Sequence, residues 1–132
     1  MLLSFAYCVN SARWVRSGGR CRAIGLPTNR KKKMLKKFKT YNRAVDFYKV
    51  GKNIQWPRHQ KDQWLRASAS IVLNLAEGSA KPTKKDQKKY YYIALGSLRE
   101  CLAIIELEEV NNRQLSEIGD ELGALLFKLT RF

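Results

Sequence analysis

At 132 residues the chain has room for one globular domain, and a hydrophobic content of 45% is enough to form its core. No apolar run approaches the roughly 18 residues that cross a membrane, and three cysteines without a CxxC spacing indicate neither a disulfide framework nor a zinc knuckle. The chain carries 26 Lys and Arg against 11 Asp and Glu, a formal net charge of +15. Such an excess favours a polyanionic partner, most often nucleic acid and sometimes an anionic membrane.

The first 33 residues differ in composition from the rest of the chain. They contain Gly18-Gly19, Gly25 and Pro27, they end in a run of four cations, and no helical period persists through them. Residues 1–33 are therefore predicted to be a basic, disordered extension, or translated sequence upstream of a start at Met34. The composition of this segment is also that of a mitochondrial transit peptide, which is Arg-rich and free of acids. Export is not expected, and unpaired cysteines fit a reducing, cytoplasmic location.

Four segments with a helical spacing of apolar residues follow within residues 34–132. The predicted helices cover about 38–54, 59–76, 83–110 and 115–132, and they are separated by Trp56-Pro57, Gly78 with Pro82, and Asn111-Asn112. Gly78 is the predicted C-cap of the second helix, and Thr83 with Asp86 is a predicted capping box for the third. Nothing here alternates with the strand period. The predicted fold is an all-α, antiparallel up-down four-helix bundle.

The apolar positions of each segment predict which face points into the core. The predicted inward residues are Phe38, Tyr41, Val45 and Tyr48; Leu65, Ala69, Val72 and Ala76, with Ile71 and Leu75 widening that face; Tyr91, Leu95, Leu98, Leu102 and Ile105; and Leu115, Ile118, Leu122, Leu125, Leu129 and Phe132. The last set alternates spacings of three and four, which is a heptad pattern. The second set is wider than one stripe once Leu73 is added, which predicts a homo-oligomer.

Lysines surround the predicted start of the third helix, where a stable helix would favour acids. Cations there oppose the helix dipole at a cost of roughly 0.3–1 kcal/mol each, whereas a docked phosphate would be favoured by N–H groups, dipole and lysines together. The alternative is a solvated charge run. In an up-down bundle this turn shares one end with the start of the first helix and the end of the fourth. The candidate nucleic-acid-binding residues are Arg30, Lys31, Lys32, Lys33, Lys36, Lys37, Lys39, Lys81, Lys84, Lys85, Lys88, Lys89, Lys128 and Arg131.

The same topology sends acidic residues to the opposite end of the bundle. They are Glu106, Glu108, Glu109, Glu117, Asp120 and Glu121. The molecule is therefore predicted to be polarised along its axis.

Polar residues on otherwise apolar helices form a second group. Ser70, Asn74 and Glu77 share one face of the second helix, and Ser97 and Glu100 lie one turn apart on the third. The favoured interpretation is a hydrogen-bond network that fixes helix register or a subunit contact; the alternative is a carboxylate pair for acid–base or metal chemistry.

Few residues offer catalytic or ligand chemistry. The one histidine, His59, lies in no metal motif and is expected to be a solvated turn residue, so no enzyme, metal or cofactor is predicted. Trp56 and Trp64 could stack bases, or plug the end of the bundle, which is the commoner role. Cys101 is expected to be a small buried hydrophobe.

Three stretches resemble a known family. They are Phe38-Lys-Thr-Tyr-Asn-Arg-Ala-Val-Asp-Phe47, Leu65-Arg-Ala-Ser-Ala-Ser-Ile-Val-Leu-Asn-Leu-Ala-Glu-Gly78 and Ala94-Leu-Gly-Ser-Leu-Arg-Glu100. They are similar to the signature of bacterial four-helix-bundle proteins encoded in intervening sequences of large-subunit ribosomal RNA, a family that includes the accessory variability determinants of diversity-generating retroelements. The resemblance implies a bundle that assembles into a ring-shaped homopentamer with a basic surface. In the retroelement members it also implies binding to a reverse transcriptase and to nucleic acid.

Two functions are compatible with these features. The first is an oligomeric accessory protein that binds nucleic acid, either RNA or DNA, and partners a reverse transcriptase if the chain is a retroelement member. The second is an oligomeric scaffold that binds a protein partner without touching nucleic acid. Salt distinguishes them, because phosphate binding weakens steeply with ionic strength and a hydrophobic docking surface does not.

Overall fold

The computed structural model describes residues 13–17, 20–24 and 35–131. The chain divides into two units, Met1–Met34 and Leu35–Phe132. In the first unit, strands β1 (Arg13–Ser17) and β2 (Arg20–Ile24) pair antiparallel. This strand pair differs from the unstructured segment expected for residues 1–33. Its sequence signal is the Gly-Gly pair between two five-residue segments, a spacing typical of a β-hairpin.

The second unit contains the four predicted helices, and the predicted all-α fold is confirmed for residues 35–131. They are α1 (Lys39–Lys52), α2 (Arg58–Ser79), α3 (Lys84–Leu107) and α4 (Arg113–Arg131). Helix α1 packs against α2 and α4, and α3 packs against the same two helices, so the four form a closed square. Over the described residues, no helix has both the length and the hydropathy to cross a membrane.

The buried line of α1 lies one residue before the predicted one, and the predicted face of α2 is confirmed only at Ile71 and Leu75, the residues that widen it. The buried positions of α1 are Thr40, Ala44, Phe47 and Gly51, and those of α2 are Trp64, Ala67, Ser68, Ile71, Leu75 and Gly78. The other predicted residues of the two helices flank these lines and are half-buried: Tyr41, Val45, Tyr48, Leu65, Ala69, Val72 and Ala76. Small side chains on the facing line let the helix backbones approach closely, while large apolar residues cover the seams beside them.

The predicted heptad pattern of α4 drifts after its first three positions. Leu115, Ile118 and Leu122 are buried as predicted, but the next fully buried residue is Leu126, and Leu125 is half-buried. A straight helix of 3.6 residues per turn moves away from a strict heptad by about 20° per repeat. The core position therefore shifts by one residue. The predicted Phe132 lies outside the described residues.

The helix ends are capped by the chain's own side chains and by backbone turns. The Thr83 hydroxyl accepts a hydrogen bond from the Asp86 backbone N–H (3.1 Å), so Thr83 is the N-cap of α3. The Asp86 carboxylate accepts from the Thr83 hydroxyl (2.6 Å) and not from its backbone N–H, so only the N-cap half of the predicted capping box forms. Asn112 caps α4 by accepting from the Leu115 N–H (2.9 Å). Helix α3 ends at Leu107 with Glu108 as its C-cap, and the next residue, Glu109, has a φ of 48°, in the left-handed region normally occupied by glycine.

Gly78 is not the C-cap that the sequence predicts. Helix α2 continues to Ser79, and Ala80 is its C-cap. Gly78 is buried, and a Cβ at this position would stand 2.7 Å from the ring of Tyr91. The glycine is therefore required for the close approach of α3 and not for a turn.

Two tryptophans close the end of the bundle where α1 connects to α2. The ring of Trp56 stacks on that of Trp64 with 4.5 Å between centroids, and Phe47 packs 5.2 Å away on the same ring. The Trp56 indole N–H donates to the backbone oxygen of Gly51 (2.7 Å). Both indoles are buried, so they plug the bundle and are closed to base stacking. We call this the tryptophan end.

Candidate nucleic-acid interface

The other end of the bundle brings together segments from all four helices. The Phe38 ring, just before α1, lies 6.4 Å from the ring of Tyr91 in α3. The Tyr92 hydroxyl reaches α4, where it donates to the backbone oxygen of Thr130 (3.4 Å). Gly78 of α2 packs against Tyr91 and its neighbour Tyr90. The start of α1, the α2–α3 turn and the end of α4 are therefore neighbours.

Most candidate residues gather at this end, which we call the basic end. Its nine cations are Lys36, Lys37, Lys81, Lys84, Lys85, Lys88, Lys89, Lys128 and Arg131, and its acids are Glu77 and Asp86. The other nine cations of residues 35–131 are Lys39, Arg43, Lys49, Lys52, Arg58, Lys61, Arg66, Arg99 and Arg113. Those are matched by nine acids, so the whole net charge of this unit, +7, belongs to the basic end.

Lysines of the first two turns of α3 form the centre of the basic end. Lys84 and Lys88 line an open cleft of about 120 Å³ together with Gln87, Tyr91 and Leu129. Thr83 already accepts a hydrogen bond from a backbone N–H at the start of α3, and Asp86 adds an acid to the first turn. The repulsion between the lysines and the helix dipole is therefore smaller than the lysines alone would give. What favours an anion here is the concentration of charge.

Lys81 differs from the other lysines of the basic end because it has partners. Its ammonium lies 3.1 Å from Glu77 and 4.7 Å from the centroid of the Tyr90 ring. Hydrogen bonds with Lys81, and then with Tyr90, lower the pKa of the Glu77 carboxyl. Hydrogen bonds with Glu77, and then with Tyr90, raise the pKa of the Lys81 ammonium. Lys81 is thus a partly neutralised member of the group.

Lys39 stands at the start of α1 but faces an acid. Glu121 lies 3.4 Å from the Lys39 ammonium and 2.8 Å from Nε of Arg43. Burial raises the pKa of Glu121, but hydrogen bonds from Arg43 and Lys39 outweigh it and leave that pKa below its usual value. The placement of Glu121 at the acidic end is therefore wrong, because α4 carries it to the middle of the bundle against α1.

The tryptophan end is balanced and not acidic, which corrects the predicted polarity. Lys49 and Lys52 stand in the last turn of α1, Arg58 and Lys61 begin α2, and Arg113 begins α4. They lie among Glu106, Glu108, Glu109 and Glu117, and Arg113 bonds Glu117 at 2.8 Å. His59 is an exposed residue of the first turn of α2, 3.7 Å from Glu108. The bundle thus has one basic end and one neutral end.

Arg30, Lys31, Lys32 and Lys33 lie outside the described residues. Lys36 and Lys37 are exposed just before α1, where the Asn42 side chain donates to the Lys36 backbone oxygen (2.8 Å). Lys128 and Arg131 are exposed in the last turn of α4.

The predicted five-residue polar network divides into three. The hydroxyls of Ser70 and Ser97 are 2.9 Å apart, and Asn74 donates to the Ser70 hydroxyl (3.1 Å), which links α2 to α3. Glu77 instead pairs with Lys81. Glu100 accepts a hydrogen bond from Gln63, about two turns nearer the start of α2 than Ser70. Both carboxylates thus have partners other than the serine pair.

Two exposed aromatic rings at the basic end are absent from the predicted site. Tyr92 is 57% exposed and Phe127 is 51% exposed. The Arg131 guanidinium carbon lies 4.7 Å from the centroid of the Phe127 ring. The available signal is spacing: Lys88 and Lys89 precede Tyr92 by four and three residues, and Arg131 follows Phe127 by four.

Groups that could perform metal or thiol chemistry are scarce in the described part of the chain. Residues 35–131 contain no set of three His, Cys, Asp or Glu side chains placed to hold a metal ion. Cys101 is fully buried as predicted, and burial raises the pKa of its thiol to about 12.

The fold and this charge distribution define a small, basic four-helix-bundle protein. Residues 34–131 match the model of the 23S rRNA-intervening sequence protein family, and the chain belongs to that family. A comparison with curated proteins gives no significant match.

Proposed function

We propose that the chain is a nucleic-acid-binding protein, not an enzyme, and that the basic end is its phosphate-binding surface. The observation that carries the proposal is the charge distribution: the excess of +7 over residues 35–131 gathers at one end while the rest is neutral. Charge scattered only for solubility would not be confined in this way. RNA is the first polyanion to test, because the family description refers to a ribosomal RNA sequence.

The lysines at the start of α3 support the proposal through their lack of internal partners. Among the described residues, no carboxylate lies within 4.0 Å of the ammonium groups of Lys84, Lys85, Lys88 or Lys89. These four are free to meet phosphates, whereas Lys39 and Lys81 are held by Glu121 and Glu77. Each phosphate neutralised by a lysine releases counterions, which makes affinity fall as salt rises.

The test compares two variants with the same net charge. One replaces Lys84, Lys85, Lys88 and Lys89 with Gln at the basic end; its control replaces Lys49, Lys52, Arg58 and Lys61 with Gln at the tryptophan end. We expect the first to bind RNA at least about tenfold more weakly at low salt. Its slope of log affinity against log salt becomes shallower by roughly 0.7–0.9 for each contact removed. The control keeps the slope of the wild type.

A loss of affinity that is equal in the two variants contradicts the proposal, since binding then follows net charge and not position. Binding of several unrelated RNA and DNA sequences should decrease by similar factors in the first variant, because phosphate contacts carry no sequence information.

A second function, self-association, is favoured by a surface free of charge. Residues 67–76 of α2 and 90–98 of α3 contain no charged side chain, although 28% of the chain is charged. Leu73 (67% exposed) and Ile93 (44% exposed) lie on the outer side of the Ser70–Ser97 contact. Ile71 and Leu75 are buried inside the bundle, so Leu73 is the exposed member of the wide apolar face predicted for α2. Copies of a chain with charge +15 could approach each other here without facing like charges.

We propose a homo-oligomer, a pentamer by family resemblance, that joins through this uncharged surface. Light scattering of wild type and of a Leu73→Gln, Ile93→Gln variant tests it: the wild type should exceed the monomer mass and the variant should approach it. A partnership with a retroelement reverse transcriptase is a further proposal from the resemblance, tested by co-purification of the two proteins. A scaffold without nucleic-acid binding would instead show no salt-dependent affinity for RNA.

A further inference from the structure

We propose that the basic end selects single-stranded RNA, because unpaired bases stack on the exposed rings of Tyr92 and Phe127. The inference rests on the proposed function and adds the form of the nucleic acid to it. Both rings are more than half exposed, whereas the other aromatic residues of positions 35–131 are buried or half-buried. Exposed aromatic side chains between cations are the recurring surface of proteins that bind single strands.

Hydrogen bonds through Thr130 link the two aromatic residues. The Tyr92 hydroxyl donates to the backbone oxygen of Thr130, and Thr130 donates to the backbone oxygen of Phe127 (2.8 Å). Tyr92 thus crosses from α3 onto the turn of α4 that follows Phe127. Because the Tyr92 side chain reaches the helix turn that begins at Phe127, one strand could pass both rings.

Cations stand within one helical turn of each ring. Lys88 and Lys89 precede Tyr92 on α3, and Arg131 lies over Phe127 at 4.7 Å on α4. No acidic residue stands three or four positions before or after either ring, the positions that share its helix face. A strand whose bases stack on the rings would therefore carry its phosphates past Lys88, Lys89 and Arg131.

A duplex cannot use the rings in this way. Its bases are paired and stacked on one another, so a protein contacts mainly its phosphates and its groove shape. The lysines would hold either form, whereas the rings would add affinity only for the unpaired one. The exposed rings therefore predict a preference for single strands, even though the duplex has the higher charge density and would attract the lysines more strongly.

The experiment uses an unstructured RNA of about 12 nucleotides, alone and annealed to its complement, in one buffer. Wild-type protein should bind the single strand more tightly. A Tyr92→Leu, Phe127→Leu variant should lose roughly tenfold or more for the single strand, since stacking is commonly worth that much per base. Its affinity for the duplex and its salt slope should stay within about twofold of wild type, because no charge is removed.

Two control variants separate stacking from structure. Tyr92→Phe keeps the ring and should keep the preference for the single strand, and Leu107→Ala removes an exposed apolar side chain at the tryptophan end and should change neither affinity. Single-strand binding that survives the double substitution, or equal losses for single strand and duplex, overturns the inference while leaving the proposed function in place. If wild type binds neither RNA, the proposed function itself fails.

Discussion

The two ends of the bundle use aromatic residues and charge in opposite ways. At the tryptophan end Trp56, Trp64 and Phe47 stack inside the protein, and the charges around them are balanced. At the basic end Tyr92 and Phe127 are exposed, and nine cations face two acids. Interior stacking contributes to folding, whereas exposed rings and unbalanced charge do not. The comparison assigns stability to one end and binding to the other.

The largest expected effect is at the tryptophan end. Trp64 is fully buried between Trp56 and Phe47, so Trp64→Ala should cost about 3–5 kcal/mol of unfolding free energy through lost contacts and a cavity. Urea denaturation followed by circular dichroism measures it. Trp64→Phe should cost less, because it keeps a ring and removes an indole N–H that is buried without a partner among the described residues. A loss below about 1 kcal/mol for Trp64→Ala would contradict the assignment of stability to this end.

Gly51 provides the next effect, because it lets the Trp64 ring lie against the α1 backbone. A Cβ at this position would overlap that ring, so Gly51→Ala should destabilise by about 1–3 kcal/mol. The intrinsic helix propensity of alanine, about 1 kcal/mol better than glycine, acts in the other direction. Gly96→Ala in α3 is the matched control, since a Cβ there meets nothing within 4 Å. That variant should gain stability in the same thermal melt.

A smaller effect on stability is expected from the N-cap of α3 at the basic end. Thr83→Ala removes the side chain that accepts from the Asp86 N–H, and the usual cost of losing such a cap is about 1 kcal/mol. If a phosphate docks beside this helix start, added RNA should recover part of the lost thermal stability. The same relative rise in melting temperature for a Trp64→Phe variant, which leaves the helix start intact, would show general ligand stabilisation only.

The smallest effect concerns the turn that ends α3. Glu109 adopts a left-handed φ of 48°, which costs a residue with a Cβ about 1–2 kcal/mol. Glu109→Gly relieves this cost but gives the unfolded chain more freedom. We expect a net gain of about 0.5–1 kcal/mol in chemical denaturation, with unchanged RNA affinity. A weaker RNA complex would mean that the tryptophan end also takes part in binding.

Much of the fold follows from periodicity and chain breakers. Thr83 with Asp86 identifies a helix start, and Trp56-Pro57 and Asn111-Asn112 mark the connections. The buried faces of α1 and α2 do not follow, because apolar periodicity is weighted by large residues such as Tyr41 and Leu65. The structure centres each buried face one residue earlier, on lines that also include small residues such as Ala44 and Ser68. Helix rotation is set by how closely two backbones can approach, and that depends on both helices.

The sequence predicts where the charges of the candidate site gather, but not which side chains contact one another. Helix topology alone places the lysines of α3 beside Lys128 and Arg131. It cannot show that Glu121 and Glu77 neutralise Lys39 and Lys81, since each depends on a side chain reaching across or along a helix. Nor does composition distinguish an exposed Tyr92 from the adjacent, buried Tyr91; the 100° turn between neighbours on a helix makes that difference.

The placement of the excess charge of residues 35–131 at one end also determines how this bundle meets a polyanion. A field acting on such a body exerts a torque, which turns the basic end forward before contact is made. Encounters would therefore be steered end-on, with the helix axes pointing at the strand and the tryptophan end facing away. The sides of the bundle, including the uncharged surface of α2 and α3, would stay accessible to neighbouring copies along the same strand.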